Sequence, residues 1–274
     1  MMVPLTQIHS IPAQPQSAPC ETIGWLPHPR LRRWVFGYAG FRAGALTRIP
    51  HRLLPLNHAT LLIDFTDPYA LVTGARSTPT LAGHTDWAYG VSVGLTPAGV
   101  SALFGVPMPE LAETAARLSD VRGRGVAGLA ERLGAAPDWP TRFALLDTVL
   151  TSWAADTVAD RQSDGGLVAA AWWRLSHSPE RLRIGALADR LGVSRRYLEL
   201  GFRRQIGLSP ATVARTARFQ RAVGSLLHGT DLAGTAADTG YADQPHFTRE
   251  VRALSGLTPT ELCAFLQDHL PRPG

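Results

Sequence analysis

Lysine is absent from this 274-residue chain, cysteine occurs twice, and no stretch is both long and apolar. Cys20 and Cys263, near opposite ends, supply neither a disulfide framework nor a set of zinc ligands. With no apolar run of about 20 residues, no segment is suited to span a bilayer. The first residues are polar and carry Pro4, Pro12, Pro15 and Pro19, without the basic start and apolar stretch of a signal peptide. These absences lead us to expect a cytoplasmic protein, with residues 1–22 a disordered tail and no cofactor or metal.

What is present is charge, unevenly placed. The formal net charge is +5 and the isoelectric point about 9.8. Because every basic residue apart from histidine is arginine, arginine abundance reflects codon usage in part, and position says more than number. From Arg174 to Arg252 there are 13 arginines against 7 acidic residues, and elsewhere 14 against 15. The basic excess therefore sits on one segment, as contact with a phosphate backbone requires.

The same segment contains a repeat. Ser194-Arg195-Arg196-Tyr197-Leu198-Glu199-Leu200-Gly201-Phe202-Arg203-Arg204 leads to Gly207-Leu208-Ser209-Pro210. Asp243-Gln244-Pro245-His246-Phe247-Thr248-Arg249-Glu250-Val251-Arg252 leads to Gly256-Leu257-Thr258-Pro259, 49 residues later at the glycines. Each copy opens on a residue whose side chain caps a helix and closes on Gly with Pro three residues on. Before the first copy, Ile184, Leu187, Ala188 and Leu191 repeat at i, i+3, i+4 and i+7, and Gly192 permits a sharp turn. Leu232 to Thr239, Gly240 and Tyr241 do the same before the second. A short helix, a tight turn and a second helix bearing exposed cations make a helix-turn-helix unit, used twice. A helix over about 211–227, roughly 25 Å long at 1.5 Å per residue, connects the units. Val213, Ala217, Ala222, Val223, Leu226 and Leu227 form its apolar stripe, and Arg215, Arg218 and Arg221 project from other faces.

Over Leu167 to Leu266 the chain resembles the AraC/XylS-type bacterial transcription regulators. The resemblance rests on Ser209-Pro210, on Arg218 and Ala222, on Gly240-Tyr241-Ala242-Asp243-Gln244-Pro245-His246-Phe247 and on Gly256-Leu257-Thr258-Pro259. It implies double-stranded DNA as partner, with two reading helices in successive major grooves. The family's base-reading positions fall on Arg196, Glu199 and Leu200, with Arg195 alongside, and on Gln244, Pro245, His246 and Arg249. Arg203, Arg204, Arg215, Arg221 and Arg252 are candidates for phosphate contact, while a structural ion pair is expected of Arg218. Leu200 and Gly201 depart from the family's polar-then-apolar pair, and Thr235 and Val251 stand where larger apolar residues are usual. Tyr197, Leu198 and Phe202 are expected to face the core or its flank, and at least one of Trp172 and Trp173 to pack inside.

Residues 23–158 read as a β-rich domain followed by helices. Trp34–Tyr38, Thr60–Phe65, Tyr69–Thr73 and Tyr89–Leu95 have strand character, and Thr96-Pro97 opens a helix to Phe104. Further helices are expected near 109–118, 126–133 and 141–155. This half resembles the sensing halves of some members of the same family, which implies a small-molecule effector and pairing into a homodimer. Trp34, Tyr38, Phe41, Trp87 and Tyr89 either line an apolar pocket or fill a core. The expected architecture is α+β: a β-rich sensing domain at 23–158, a linker at 159–166, and an all-α domain at 167–267 able to fold separately, with two helix-turn-helix units on a connecting helix.

The expected function is that of a sequence-specific transcription regulator under small-molecule control, with RNA polymerase as a further candidate partner. An effector-independent regulator whose N-terminal half only pairs or recruits is the alternative. An enzyme using His51, His58, His84, Asp64 and Asp86 is less favoured, since none of these is spaced as His-x-His. Alkyl-transfer repair chemistry would need clustered thiols that the chain lacks.

Overall fold

The computed structural model describes residues 7–13, 20–44, 48–67, 69–81, 86–156, 166–178 and 182–269. Its N-terminal part contains β1 (Ser10–Pro12), β2 (Cys20–Trp25), β3 (Val35–Ala43), β4 (Ile49–Leu53), β5 (Ala59–Asp64), β6 (Leu71–Thr73), β7 (Asp86–Trp87), β8 (Tyr89–Leu95) and β9 (Ala115–Arg117). Antiparallel pairing builds a six-stranded sheet in the order β2-β3-β8-β5-β6-β9 and a three-stranded sheet in the order β1-β4-β7. Strand alternation sorts the two faces of the larger sheet. Leu61 and Ile63, Val91 and Val93, and Tyr38 turn one way into the main core. On that side lie α1 (Pro97–Phe104) and α5 (Trp139–Asp156), whose Phe143 stacks on Tyr38 at 5.7 Å. Thr60, Leu62, Thr73 and Ser92 turn the other way, towards the smaller sheet.

Several local expectations are corrected by tertiary pairing. Residues expected within a disordered tail form β1 and the start of β2, and Ile11 is buried. The helix expected over 109–118 is instead α2 (Met108–Leu111), a left-handed Glu113 at φ 58° and then β9. There the open edge of β6 takes up the backbone groups of Ala115–Arg117, and ladder bonds outweigh a weak helix preference. Next comes α3 (Leu118–Arg122), and α4 (Leu129–Ala135) begins after a left-handed Gly128, three residues later than expected.

The C-terminal part is helical: α6 (Gly166–His177), α7 (Ile184–Arg190), α8 (Arg195–Gln205), α9 (Pro210–Leu227), α10 (Leu232–Asp238), α11 (Gln244–Ser255) and α12 (Pro259–His269). Most of the expected linker, through residue 165, lies outside the described residues. No helix among the described residues is long and apolar enough to cross a membrane.

The two parts are joined by buried polar contacts. The Asn57 side-chain amide donates to Val213 O at 2.9 Å, and its backbone carbonyl accepts from Trp172 Nε1 at 2.8 Å. Gln220, 1% exposed on α9, accepts from Ile8 N at 2.8 Å and donates to Ile8 O at 3.0 Å and Pro55 O at 2.8 Å. Ile11 and Leu54 share a core with Phe219, Val223 and Leu226 of α9 and Phe247 of α11. The main core likewise runs from the large sheet into Trp172, Leu198 and Val213. The β-rich part and the helical part therefore share cores, a closer union than a flexible linker implies.

Removing one partner from such a contact strands the others in a dry interface, at about 1–3 kcal/mol each. Gln220→Ala is expected to cost at least that much in denaturant unfolding, and the β-rich and helical parts are expected to unfold in one transition. A second prediction concerns acid. Burial, reinforced by Arg76 and neighbouring histidines, lowers the His9 pKa to about 3, and burial lowers that of His58 to about 3, His177 adding to the effect. Both rings stay neutral in the folded chain, while in the unfolded chain they protonate near 6.5. Their contribution is thus complete above about pH 6.5 and is lost as pH falls from there towards 3. Unfolding free energy should decline over that window, with a shallower slope in His58→Gln.

Candidate nucleic-acid interface

The repeat appears in the structure as two near-copies built by the same local bonds. In the first unit the Ser194 hydroxyl accepts from Tyr197 N at 3.1 Å to start α8, and Val193 N donates to Ala188 O to close the turn. In the second unit Asp243 Oδ1 accepts from His246 N at 2.6 Å to start α11, and Tyr241 N donates to Ala236 O. Gly192 and Gly240 occupy the turns at φ 66° and 77°. Leu198 and Phe202, and in the second unit Phe247 and Val251, are fully buried, and α9 links the units.

Most of the candidate reading positions lie at the surface of α8 and α11. Arg195, Arg196, Leu200, Arg203 and Arg204 are exposed on α8, with Glu199 half-buried. Arg195 Nε stands 3.8 Å from Glu199 Oε1, a loose pair one turn apart on a solvated surface. On α11, Gln244, Pro245, Arg249 and Arg252 are exposed and His246 is half-buried, its Nδ1 3.3 Å from Ala242 N. Tyr197, expected at the core or its flank, is 48% exposed, because Leu198 and Phe202 already fill the inward positions of α8. Trp172 is buried, while Trp173 is 49% exposed and stacks on His177 at 3.8 Å.

The connecting helix spends part of its charge internally. Arg215, a phosphate candidate, forks onto Glu250 of α11, with Nε to Oε2 at 2.8 Å and Nη2 to Oε1 at 3.0 Å. Arg218 adds a 3.5 Å contact to the same carboxylate and lies 4.7 Å over the Tyr241 ring. The Arg215 hydrogen bond comes first in holding the Glu250 carboxyl below its ordinary range. Arg215 is therefore a strut between α9 and α11 rather than a free cation, because a charge neutralised within the protein has little left for phosphate. Arg221 is half-buried, and burial lowers its guanidinium pKa. Glu250, which sequence reasoning missed, carries this junction. Its signal was a lone acid between Arg249 and Arg252 in an otherwise basic helix.

The five aromatic candidates of the β-rich part do not form one group. Tyr38 and Tyr89 lie on the helix side of the large sheet, Tyr38 donating to Asp147 Oδ1 at 2.9 Å and Tyr89 packed edge-on to Trp139 at 5.8 Å. Phe41 and Trp87 lie on the opposite side in a small cluster with Leu53 and Leu62. Trp34 precedes β3 under the guanidinium of Arg33 at 4.0 Å. A single pocket lined by all five is ruled out, since the sheet itself separates them. His84 lies outside the described residues, and Asp64 is engaged by Thr66 N and Ala88 N. Among the described residues no cluster of three His, Cys, Asp or Glu side chains suits a metal ion.

Two helix-turn-helix units on one connecting helix, with exposed cations on both second helices, define a DNA-binding domain. Residues 187–264 match a family described as a helix-turn-helix domain. This segment, residues 187–264, is a DNA-binding domain of the AraC type. No curated protein matches the chain. Among solved structures it is similar to a transcriptional regulator with an AraC-type DNA-binding domain from Chromobacterium violaceum, at 27% identity over 38% of this chain and 94% of that one (TM-score 0.35). A probable AraC family transcriptional regulator from Rhodopseudomonas palustris is 25% identical over 37% and 97% (TM-score 0.34). ToxT from Vibrio cholerae is 10% identical over 91% and 98% (TM-score 0.44).

The geometry accounts for the unusual Gly201. A Cβ built there falls 2.4 Å from Val168 Cγ2, so the glycine lets α6 seat closely on α8. Alanine would gain about 1 kcal/mol of helix propensity, but overpacking a stiff, buried valine costs about 1–3 kcal/mol. Gly201→Ala is expected to lose stability and DNA affinity through a shifted α8, and adding Val168→Ala to restore much of both. Thermal unfolding and DNA titration of the two single variants and the double variant check this, with a favourable coupling between the sites as the expected result.

Proposed function

We propose that α8 and α11 read bases in two successive major grooves, and that a small molecule held by the β-rich part regulates this. In this reading Arg196 and Arg249 bond guanine, Gln244 favours adenine, Glu199 accepts from cytosine and Leu200 meets a thymine methyl. Arg203, Arg204 and Arg252 contact phosphate. Arg195 and His246 flank the reading positions, and Pro245 offers shape without a donor. The observation that carries the reading is the matched exposure of polar and cationic side chains on two helices whose opposite faces are fully buried. Regulation would act where Asn57, Pro55 and Ile8 meet α6 and α9, since any shift of that loop bears on the helix carrying both units. A homodimer through the helices after Pro97, contact with RNA polymerase and a cytoplasmic location complete the proposal.

Binding should weaken steeply with salt, at a log–log slope of about −0.9 per phosphate contact. Arg196→Ala and Arg249→Ala should each cost roughly 1–3 kcal/mol on the preferred site and relax base preference locally. Arg204→Ala should instead weaken all sequences alike. Selection from random DNA with each variant measures this. Unchanged preference in both of the first two would remove those residues from base reading.

A further inference from the structure

We propose that the first helix-turn-helix unit selects its half-site by the methyl groups of two thymines on neighbouring base pairs, one met by Leu200 and the other by the ring of Tyr197. The inference rests on the reading that α8 enters a major groove. It gives Tyr197 a role and assigns the class of sequence that α8 prefers.

Among the described residues α8 carries two exposed large apolar side chains, Tyr197 and Leu200, and α11 carries none. At about 100° per residue, Leu200 lies about 180° from the midpoint of the buried Leu198 and Phe202, at the centre of the outward face. By the same angles, Tyr197 lies about 60° to one side of it, and Arg196 about 40° to the other. Among the described residues the Tyr197 hydroxyl has no hydrogen-bond partner and its ring no stacked or cationic neighbour, and its backbone N–H is held by the Ser194 cap. The helix bearing both side chains is braced, because Gly201 seats it closely on Val168 of α6.

The second unit is built differently at the same places. The positions 49 residues on are His246 and Arg249. His246 leans on Tyr241, ring to ring at 5.4 Å, and its Nδ1 stands 3.3 Å from Ala242 N. Arg249 is exposed. The centre of the outward face is therefore a leucine in one unit and a guanidinium in the other. The two helices cannot recognise bases by the same chemistry.

A helix lying in the groove takes water from the base edges it covers, and an apolar side chain returns no hydrogen bond to them. The one apolar group on those edges is the C5-methyl of thymine. Contact between that methyl and Leu200 or the Tyr197 ring buries apolar surface on both sides and strands no polar group. Cβ atoms three residues apart on a helix are about 5–6 Å apart, and successive base pairs about 3.4 Å, so two neighbouring base pairs fall within reach of the pair. The exposed Arg196, Arg203 and Arg204 border it. An apolar protein partner would have to bury those three guanidinium groups around its contact, whereas DNA offers them phosphates and guanines.

The test uses sites selected from random DNA by the full chain. Leu200→Arg, which copies the residue of α11, should move the preference at one base pair from thymine towards guanine and so mark the half-site read by α8. Each thymine of that half-site is then replaced singly by deoxyuridine, which still pairs with adenine and lacks only the methyl. Two thymines on neighbouring base pairs should each lose about fourfold in affinity, the worth of one buried methyl. Leu200→Ala should abolish the loss at one of them and Tyr197→Ala the loss at the other. Both side chains are exposed, and the deoxyuridine effect on the native chain requires no variant. A half-site with clear base preference in which no deoxyuridine weakens binding would overturn the proposal and leave base reading by α8 standing. If neither Leu200→Arg nor Arg196→Ala alters preference anywhere, base reading by α8 falls and the proposal with it. A loss at one thymine only, abolished by Leu200→Ala and untouched by Tyr197→Ala, would remove Tyr197 and defeat the pair.

Discussion

Gln220 is the residue around which the two parts of this protein are organised. It lies in the middle of α9, where an amide with no partners would be among the costlier things a core can contain. Its side-chain hydrogen bonds go to the β-rich part: both backbone groups of Ile8, and Pro55 O. Because both helix-turn-helix units pack on α9, whatever holds α9 also holds the frame on which α8 and α11 are mounted. Asn57, bonded to Val213 of α9 and Trp172 of α6, makes a second grip of the same kind. A hydrogen bond in a dry interface is satisfied in one geometry only, so these contacts define a single arrangement of the two parts, where apolar packing alone would permit sliding.

The arginines divide by the same logic. Those on the outer faces of α8 and α11 keep their charge for a partner. Arg215 and Arg218 surrender theirs to Glu250 and set the angle between α11 and the connecting helix. Arg76 belongs to neither group: it is buried in the β-rich part, with no acid in ion-pair range among the described residues. The chain thus uses one residue type in three settings, and depth together with the nearest acid decides which applies.

Much of the reading machinery was legible in the order of residues. The caps Ser194 and Asp243, the glycines 49 residues apart and the apolar spacing of Leu198, Phe202, Phe247 and Val251 are local signals. Local backbone chemistry is enough to make helix, turn and helix from them. The β-rich part was less legible. Strand β8 announced itself by alternation and β5 by a run of apolar residues, but β1, β7 and β9 are two or three residues long and exist only because an edge elsewhere offers them a ladder. Tyr38 and Phe41 are both aromatic residues of one strand, and nothing in their spacing to Trp87 or Tyr89 told which side of the sheet each partner would take.

Sequence alone therefore determined that this chain carries two helix-turn-helix units on one connecting helix, with the basic excess placed on them. Those properties depend on residues within a few turns of one another. Tertiary structure decided which arginines remain free, which aromatics share a face, and that the β-rich part grips α9 through Gln220 and Asn57. Each of these depends on partners up to 212 residues apart, where no periodicity reaches and only the closed fold brings donor to acceptor.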